Sequence, residues 1–159
     1  MEIKDSGTRR EFETSAVRDC AEGKGRCDLL PLAQVSAFLH SDVLVSIASF
    51  MATGDTQDLE DALVSFCNEN NWDNATAILE VAKHYEDGSK KYDERNWEKG
   101  IPLHCYVDSA VRHYLKWHRG DTDEPHDRAV IWNLFGAWWT MENLPAMNDL
   151  PCATENSNA

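Results

Sequence analysis

From Pro31 onward the apolar residues recur at helical spacing, and strand-like alternation is weak throughout the chain. Leu32, Val35, Phe38 and Leu39 lie three, four and seven residues apart, and Val43, Leu44, Ile47 and Phe50 renew the stripe beyond Asp42, which marks a break between two helices. Gly54 stops the second. Asp55 or Thr56 can cap the next, whose inner face carries Leu59, Leu63, Phe66 and Cys67. Asn68 to Trp72 reads as a polar turn, after which Asp73 or Asn74 caps a helix through about Tyr92. Gly100 and Pro102 make a loop of Asn96 to Pro102. A further helix runs from about His104 to His118, with Tyr106, Ala110, Val111, Tyr114 and Leu115 on one side, and Gly120 ends it. Asp121 to Pro125 offers a cap and an N1 proline for a last helix that continues to about Asn143. The expectation is an all-α, single-domain bundle of five to six helices over residues 31–143. An irregular arm, 1–30, precedes it, and a polar tail, 144–159, frays after it.

A chain of 159 residues fits one core. Its 28 acidic residues outnumber the 15 basic ones, a formal charge of −13. That balance excludes a long nucleic-acid track and an anionic membrane surface as partners, because both need a basic face. No apolar run approaches the roughly 18 residues of a spanning helix, and Met1-Glu2-Ile3-Lys4-Asp5 is too polar for a secretory signal. The five cysteines form no CxxC pair, which argues for neither a disulfide framework nor a structural zinc site. A reduced, cytoplasmic protein is expected. The acidity is uneven: residues 29–79 hold seven acids and no Lys or Arg, whereas residues 1–28 carry six basic against seven acidic residues and 80–120 eight against seven. A small cationic pocket is therefore compatible with the overall charge.

Three segments concentrate side chains able to do chemistry. In the arm, glycines flank Lys24 and Arg26, so the backbone can approach a phosphate while the cations neutralise it; with no P-loop spacing, a charged surface turn reads better on sequence alone. Glu80, His84 and Asp87 share one helical stripe as three candidate ligands, Glu86 and Lys90 a neighbouring one, although a solvated helix laced with ion pairs reads the same way; Trp97 beyond them could stack a base or plug the core. Asp108, Arg112 and His113 project from one helix, while Glu124, His126 and Asp127 open the next, where Asn133 and Trp132 follow. Carboxylates from facing helices are how helical bundles hold hard cations such as Mg²⁺ or Mn²⁺, although acids in a first turn also answer the helix dipole. No GxSxG, HExxH, GxxxxGK[ST] or GxGxxG pattern is present. Residue types alone reach a helical domain with a candidate metal and phosphate site, and no reaction.

Several blocks together resemble a phage and prophage family, the N-terminal domain of dATP/dGTP diphosphohydrolase. They are Ala16-Val17-Arg18-Asp19, Glu22-Gly23-Lys24-Gly25-Arg26-x-Asp28-Leu29-Leu30-Pro31, Glu86-x-Gly88-x-Lys90-Lys91-Tyr92, Arg95-Asn96-Trp97-Glu98-Lys99-Gly100-Ile101-Pro102, Asp108-Ser109-Ala110-x-Arg112-His113-x-Leu115 and Asp123-Glu124-x-His126-Asp127-x-Ala129-x-x-Trp132-Asn133-Leu134. The family is similar to MazG-like all-α nucleoside triphosphate pyrophosphohydrolases, which use helix-borne carboxylates to hold Mg²⁺ or Mn²⁺. The resemblance implies a metal-dependent pyrophosphohydrolase converting purine deoxynucleoside triphosphates to monophosphates and pyrophosphate, in the host cytoplasm where the gene is phage-borne. It implies Glu86, Glu124, Asp127 and Asp108 as metal ligands, with Glu80 behind them, and His113 and Glu86 as catalytic residues. Lys24, Arg26, Lys90, Lys91 and Arg112 would hold phosphates; Asn96, Trp97, His126 and Asn133 would meet sugar or base.

One departure matters. MazG-like enzymes show ExxE on one helix and ExxD on the next; this chain has Glu124-x-x-Asp127 and no ExxE before it, Glu80 and Glu86 being six apart. The departure supports an alternative function, a non-catalytic sponge that sequesters a nucleotide or a nucleotide-derived immune signal. Enzymes of this type place sites between subunits, which implies a homo-oligomer. Trp132, Phe135, Trp138 and Trp139 could supply its interface or simply belong to a buried central helix.

Overall fold

A computed structural model describes residues 1–156, and side chains through 153. Helices dominate it, in the order α1 (Leu32–Leu39), α2 (Asp42–Thr53), α3 (Thr56–Glu69), α4 (Asn74–Lys91), α5 (Leu103–Arg119), α6 (His126–Asn143) and α7 (Pro151–Asn156). The all-α, single-domain expectation holds, with seven helices among the described residues. Side chains set the helix starts: Ser41 accepts from Leu44 N, Asp55 from Gln57 N and Asp73 from Thr76 N. Gly54 and Gly120 end α2 and α5 in the left-handed region, at φ 71° and 94°. The break between α1 and α2 comes from His40 in that same region followed by the Ser41 cap, rather than from Asp42. Pro125 stands one position before the helical residues of α6, and no side chain caps that helix, because Asp123 turns instead to the His126 ring.

The arm is not wholly irregular. Strands β1 (Arg9–Glu11) and β2 (Val17–Asp19) pair antiparallel, with Arg10 opposite Arg18. Two three-residue strands show no detectable period in sequence, and tertiary bonds hold them: Asn96 accepts from Val17 N at 2.8 Å and donates to Val17 O at 2.7 Å, and Thr14 donates to Gly100 O. The tail is also ordered well past Pro145, since Leu150 and Cys152 are buried and α7 packs on α2.

The core lies between α5 and α6, with α2 and α3 behind. Tyr106, Val107, Ala110, Val111 and Tyr114 of α5 face Ala129, Val130, Ile131, Leu134 and Ala137 of α6, all buried. The helices approach closely at Gly136, where a Cβ would fall 2.3 Å from Tyr106 Cε1. Trp132, Phe135, Trp138 and Trp139 are each half-buried. Trp139 meets Trp97 edge-on at 4.9 Å, and Phe135 stacks with Trp138. No helix among the described residues is long and apolar enough to cross a membrane.

Candidate functional site

The hairpin, the C-terminal half of α4, the turn at Asn96–Lys99 and the facing walls of α5 and α6 enclose a cavity of about 690 Å³. That volume is in the range of small-molecule sites. Eight Lys or Arg side chains border it against five Asp or Glu, in a chain with nearly twice as many acids as bases. Tyr85, Tyr92, Trp97 and Trp132 supply aromatic surface along its length.

Arg18 enters from β2. Its Nη2 donates to Ser109 Oγ at 3.0 Å and Asn133 Oδ1 at 3.2 Å, and its guanidinium lies over the Tyr106 and Trp132 rings, 5.5 and 5.4 Å from their centroids. Nη1 is buried without a partner, and burial pushes the guanidinium below its ordinary pKa. His84 also meets Trp132, its ring 6.0 Å away, with a buried Nδ1 that has no partner. Burial, which disfavours the charged ring, lowers its pKa to about 4, so it is neutral at pH 7.

A second cluster joins α5 to the start of α6. His113 Nδ1 lies 2.9 Å from His126 Nδ1, and His126 Nε2 lies 2.7 Å from Asp123 Oδ1. Lys4 in turn bonds Asp123 at 2.5 Å. Burial first, and then the neighbouring His126, hold His113 well below the usual imidazole pKa. Ligand atoms of His113, Glu124 and His126 fall within 4.8 Å of one another, as do those of Asp121, Asp123 and His126. Either group could hold a cation.

The side chains expected from the sequence divide between the cavity and its outside. Lys24, Lys91, Asn96, Trp97, Arg112, His113, Glu124 and Asn133 border the cavity. His126 is buried against His113, at the edge of a smaller hollow that includes Asp127. Arg26 is spent on Asp28, a bidentate pair at 2.8 and 2.7 Å. Glu86 and Lys90 are exposed on the outer side of α4, and Glu80 pairs with Arg128 and Lys83. Asp108 is buried; it accepts from Arg112 and from Cys27 N at 2.7 Å. Glu86, Asp108, Glu124 and Asp127 therefore do not converge, and Glu124 alone of the four borders the cavity. Asn96 and Asn133 hold protein atoms, namely the β2 backbone and Arg18. Sequence reasoning passed over Arg18, which lies inside a motif block without a marked role; it read His84 as one of three ligand candidates on a helical stripe and Asp123 as a first-turn acid.

Residues 74–150 match the family model described as dATP/dGTP diphosphohydrolase, N-terminal, which shows the resemblance over that stretch. Residues 1–73, with Arg18, lie outside the match. No curated protein and no solved structure matches the chain.

Proposed function

We propose that this chain is a metal-dependent pyrophosphohydrolase of purine deoxynucleoside triphosphates, releasing the monophosphate and pyrophosphate. The observation that carries the reading is that His113 and Glu124, both inside the segment that matches the diphosphohydrolase family, open into the same cation-rich, aromatic-lined cavity as Arg18. Lys24 and Lys91, at the hairpin side, neutralise phosphate charge, and Trp97 and the two tyrosines offer faces to a base. An unaided acidic surface would repel such a ligand; the local excess of cations offsets that repulsion at the cavity wall.

His113, His126 and Glu124 are the residues that would hold the ion. Their donor set fits: two Nδ1 atoms 2.9 Å apart have close to the spacing of adjacent nitrogens on one ion at about 2.1 Å each. Asp123 on the far nitrogen of His126 supplies the outer hydrogen bond that ligating histidines usually have. Two imidazoles with one carboxylate favour Mn²⁺ over Mg²⁺, which prefers oxygen throughout. When bound, the ion would polarise a phosphoryl oxygen toward attack by water. Glu86 and Lys90 could act only from a neighbouring copy in a homo-oligomer, since both face away from their own cavity.

A second reading, capture without turnover in the host cytoplasm, draws on the scatter of the four carboxylates, with Asp108 already neutralised by Arg112. Incubation with dATP or dGTP and Mn²⁺ or Mg²⁺, followed by chromatography, separates the two. Monophosphate and pyrophosphate support the enzyme. Intact nucleotide, recovered stoichiometrically after denaturation, supports the sponge. Neither turnover nor retention defeats both.

A further inference from the structure

We propose that Arg10, Arg18 and His84 form a seat for an oxyanion, a phosphoryl group, that works without any metal ion. Arg10 and Arg18 are directly opposed in the hairpin register, so their side chains leave the same face, and both border the cavity. Like charges placed opposite each other on paired strands repel. No carboxylate among the described residues lies within ion-pairing range of Arg18; its neighbours are a serine, an asparagine and two aromatic faces. A guanidinium with a buried, unpartnered nitrogen and no counter-charge is costly to keep. The ligand that repays that cost brings negative charge.

The donors left over point the same way. Arg18 Nη1, Arg10 Nε and His84 Nδ1 are all buried without a partner, and the three side chains border one cavity. His84 can turn a ring N–H toward an oxyanion in one of its tautomers, and Trp132 packs against both His84 and Arg18. The cations expected from the sequence are less free: Arg26 pairs with Asp28, Arg112 with Asp108, and Lys24 and Lys91 lie 3.7 and 3.6 Å from Asp19. Asn96, Asn133 and Ser109 are positioning residues, since they fix β2 and aim Arg18. The seat rests on the nucleotide reading only for the source of its phosphoryl group.

The test uses the full chain in EDTA, titrated with inorganic phosphate, pyrophosphate and dGMP at constant ionic strength, with tryptophan fluorescence and Tm as readouts. Wild type should show saturable binding and a raised Tm. Tighter binding of dGMP than of phosphate assigns the seat to a nucleotide; equal binding assigns it to free phosphate. Arg10→Gln should weaken binding at least about tenfold while leaving the anion-free Tm unchanged or higher, because it relieves the Arg10–Arg18 repulsion. A purely structural role for Arg10 would lower that Tm. His84→Phe, which keeps the packing against Trp132, should weaken binding by a similar factor. Absence of a saturable response in wild type, or unchanged affinity in both variants, overturns the seat. Turnover with Mn²⁺ is scored separately, so the seat and the enzyme can fail independently.

Discussion

The Nδ1 atoms of His113 and His126 face each other at 2.9 Å. Two bare lone pairs would repel at that range, so one ring donates a proton to the other. A cation and this proton compete for one place.

Metal binding should therefore push that proton to the outer nitrogen of the same ring, releasing none to solvent near pH 7, because burial already keeps His113 neutral there. Calorimetric titration with Mn²⁺ in two buffers of different ionisation enthalpy reads the proton count. His126→Ala should weaken the ion at least about tenfold. Unchanged Mn²⁺ affinity in His126→Ala would rule out the histidine pair as the ligand set.

Stability should fall on both sides of neutrality. His84, held at about 4, refuses a proton that the unfolded chain takes below its ordinary pKa of 6.5, so stability declines as pH drops through that window, by up to about 3 kcal/mol. His113 adds to the same limb. His104 is the opposite case: its bond to Asp149, then its contact with Cys105, raises it to about 10. That stabilisation is complete below pH 6.5 and is lost as pH climbs toward 10. Urea unfolding across pH 4 to 10 measures both limbs. His84→Phe should shrink the acid limb, and Asp149→Asn the alkaline one.

Asp108→Ala and Glu124→Gln should behave oppositely. Removing Asp108 strands the buried Arg112 and frees Cys27 N, at a cost of about 3–5 kcal/mol seen in thermal melts. The half-buried Glu124 has no comparable partner, so its variant should keep its Tm and lose metal affinity. If Asp108→Asn folded normally but no longer bound Mn²⁺, Asp108 would return as a ligand.

Gly136→Ala should destabilise the fold despite gaining about 1 kcal/mol of helix propensity. The new methyl would press on the fully buried Tyr106 ring, which also lies under Arg18. A net loss of about 1–2 kcal/mol is expected from overpacking. Melting curves decide it; a raised Tm would mean that the ring yields freely.

Most helix boundaries were legible because short-range chemistry sets them. Gly54 and Gly120 stop helices by backbone freedom, and Asp55 and Asp73 start them with side-chain oxygens. The hairpin was not legible, because three-residue strands are too short for a period and Asn96, far along the chain, holds them. The site was legible by neighbourhood more than by role. Asp108 and Arg112 at i, i+4 could already be read as a helix ion pair, and they are one. His113 and His126 sit on different helices, and only the packing of α5 on α6 reveals that they touch. Arg18 looked like any surface arginine until its burial was known.

The lack of Lys and Arg on α1, α2 and α3, set against the cations of the cavity wall, has a kinetic consequence. At low ionic strength, about 0.01 M, where the screening length is about 30 Å, an approaching polyphosphate feels the net charge of −13 from outside and is repelled. Only near the cavity mouth does the cationic wall pull. Added salt should thus speed capture by screening the outer repulsion, while it also speeds release by weakening the inner contacts. Such a binder exchanges its ligand faster, not merely more weakly, as ionic strength rises.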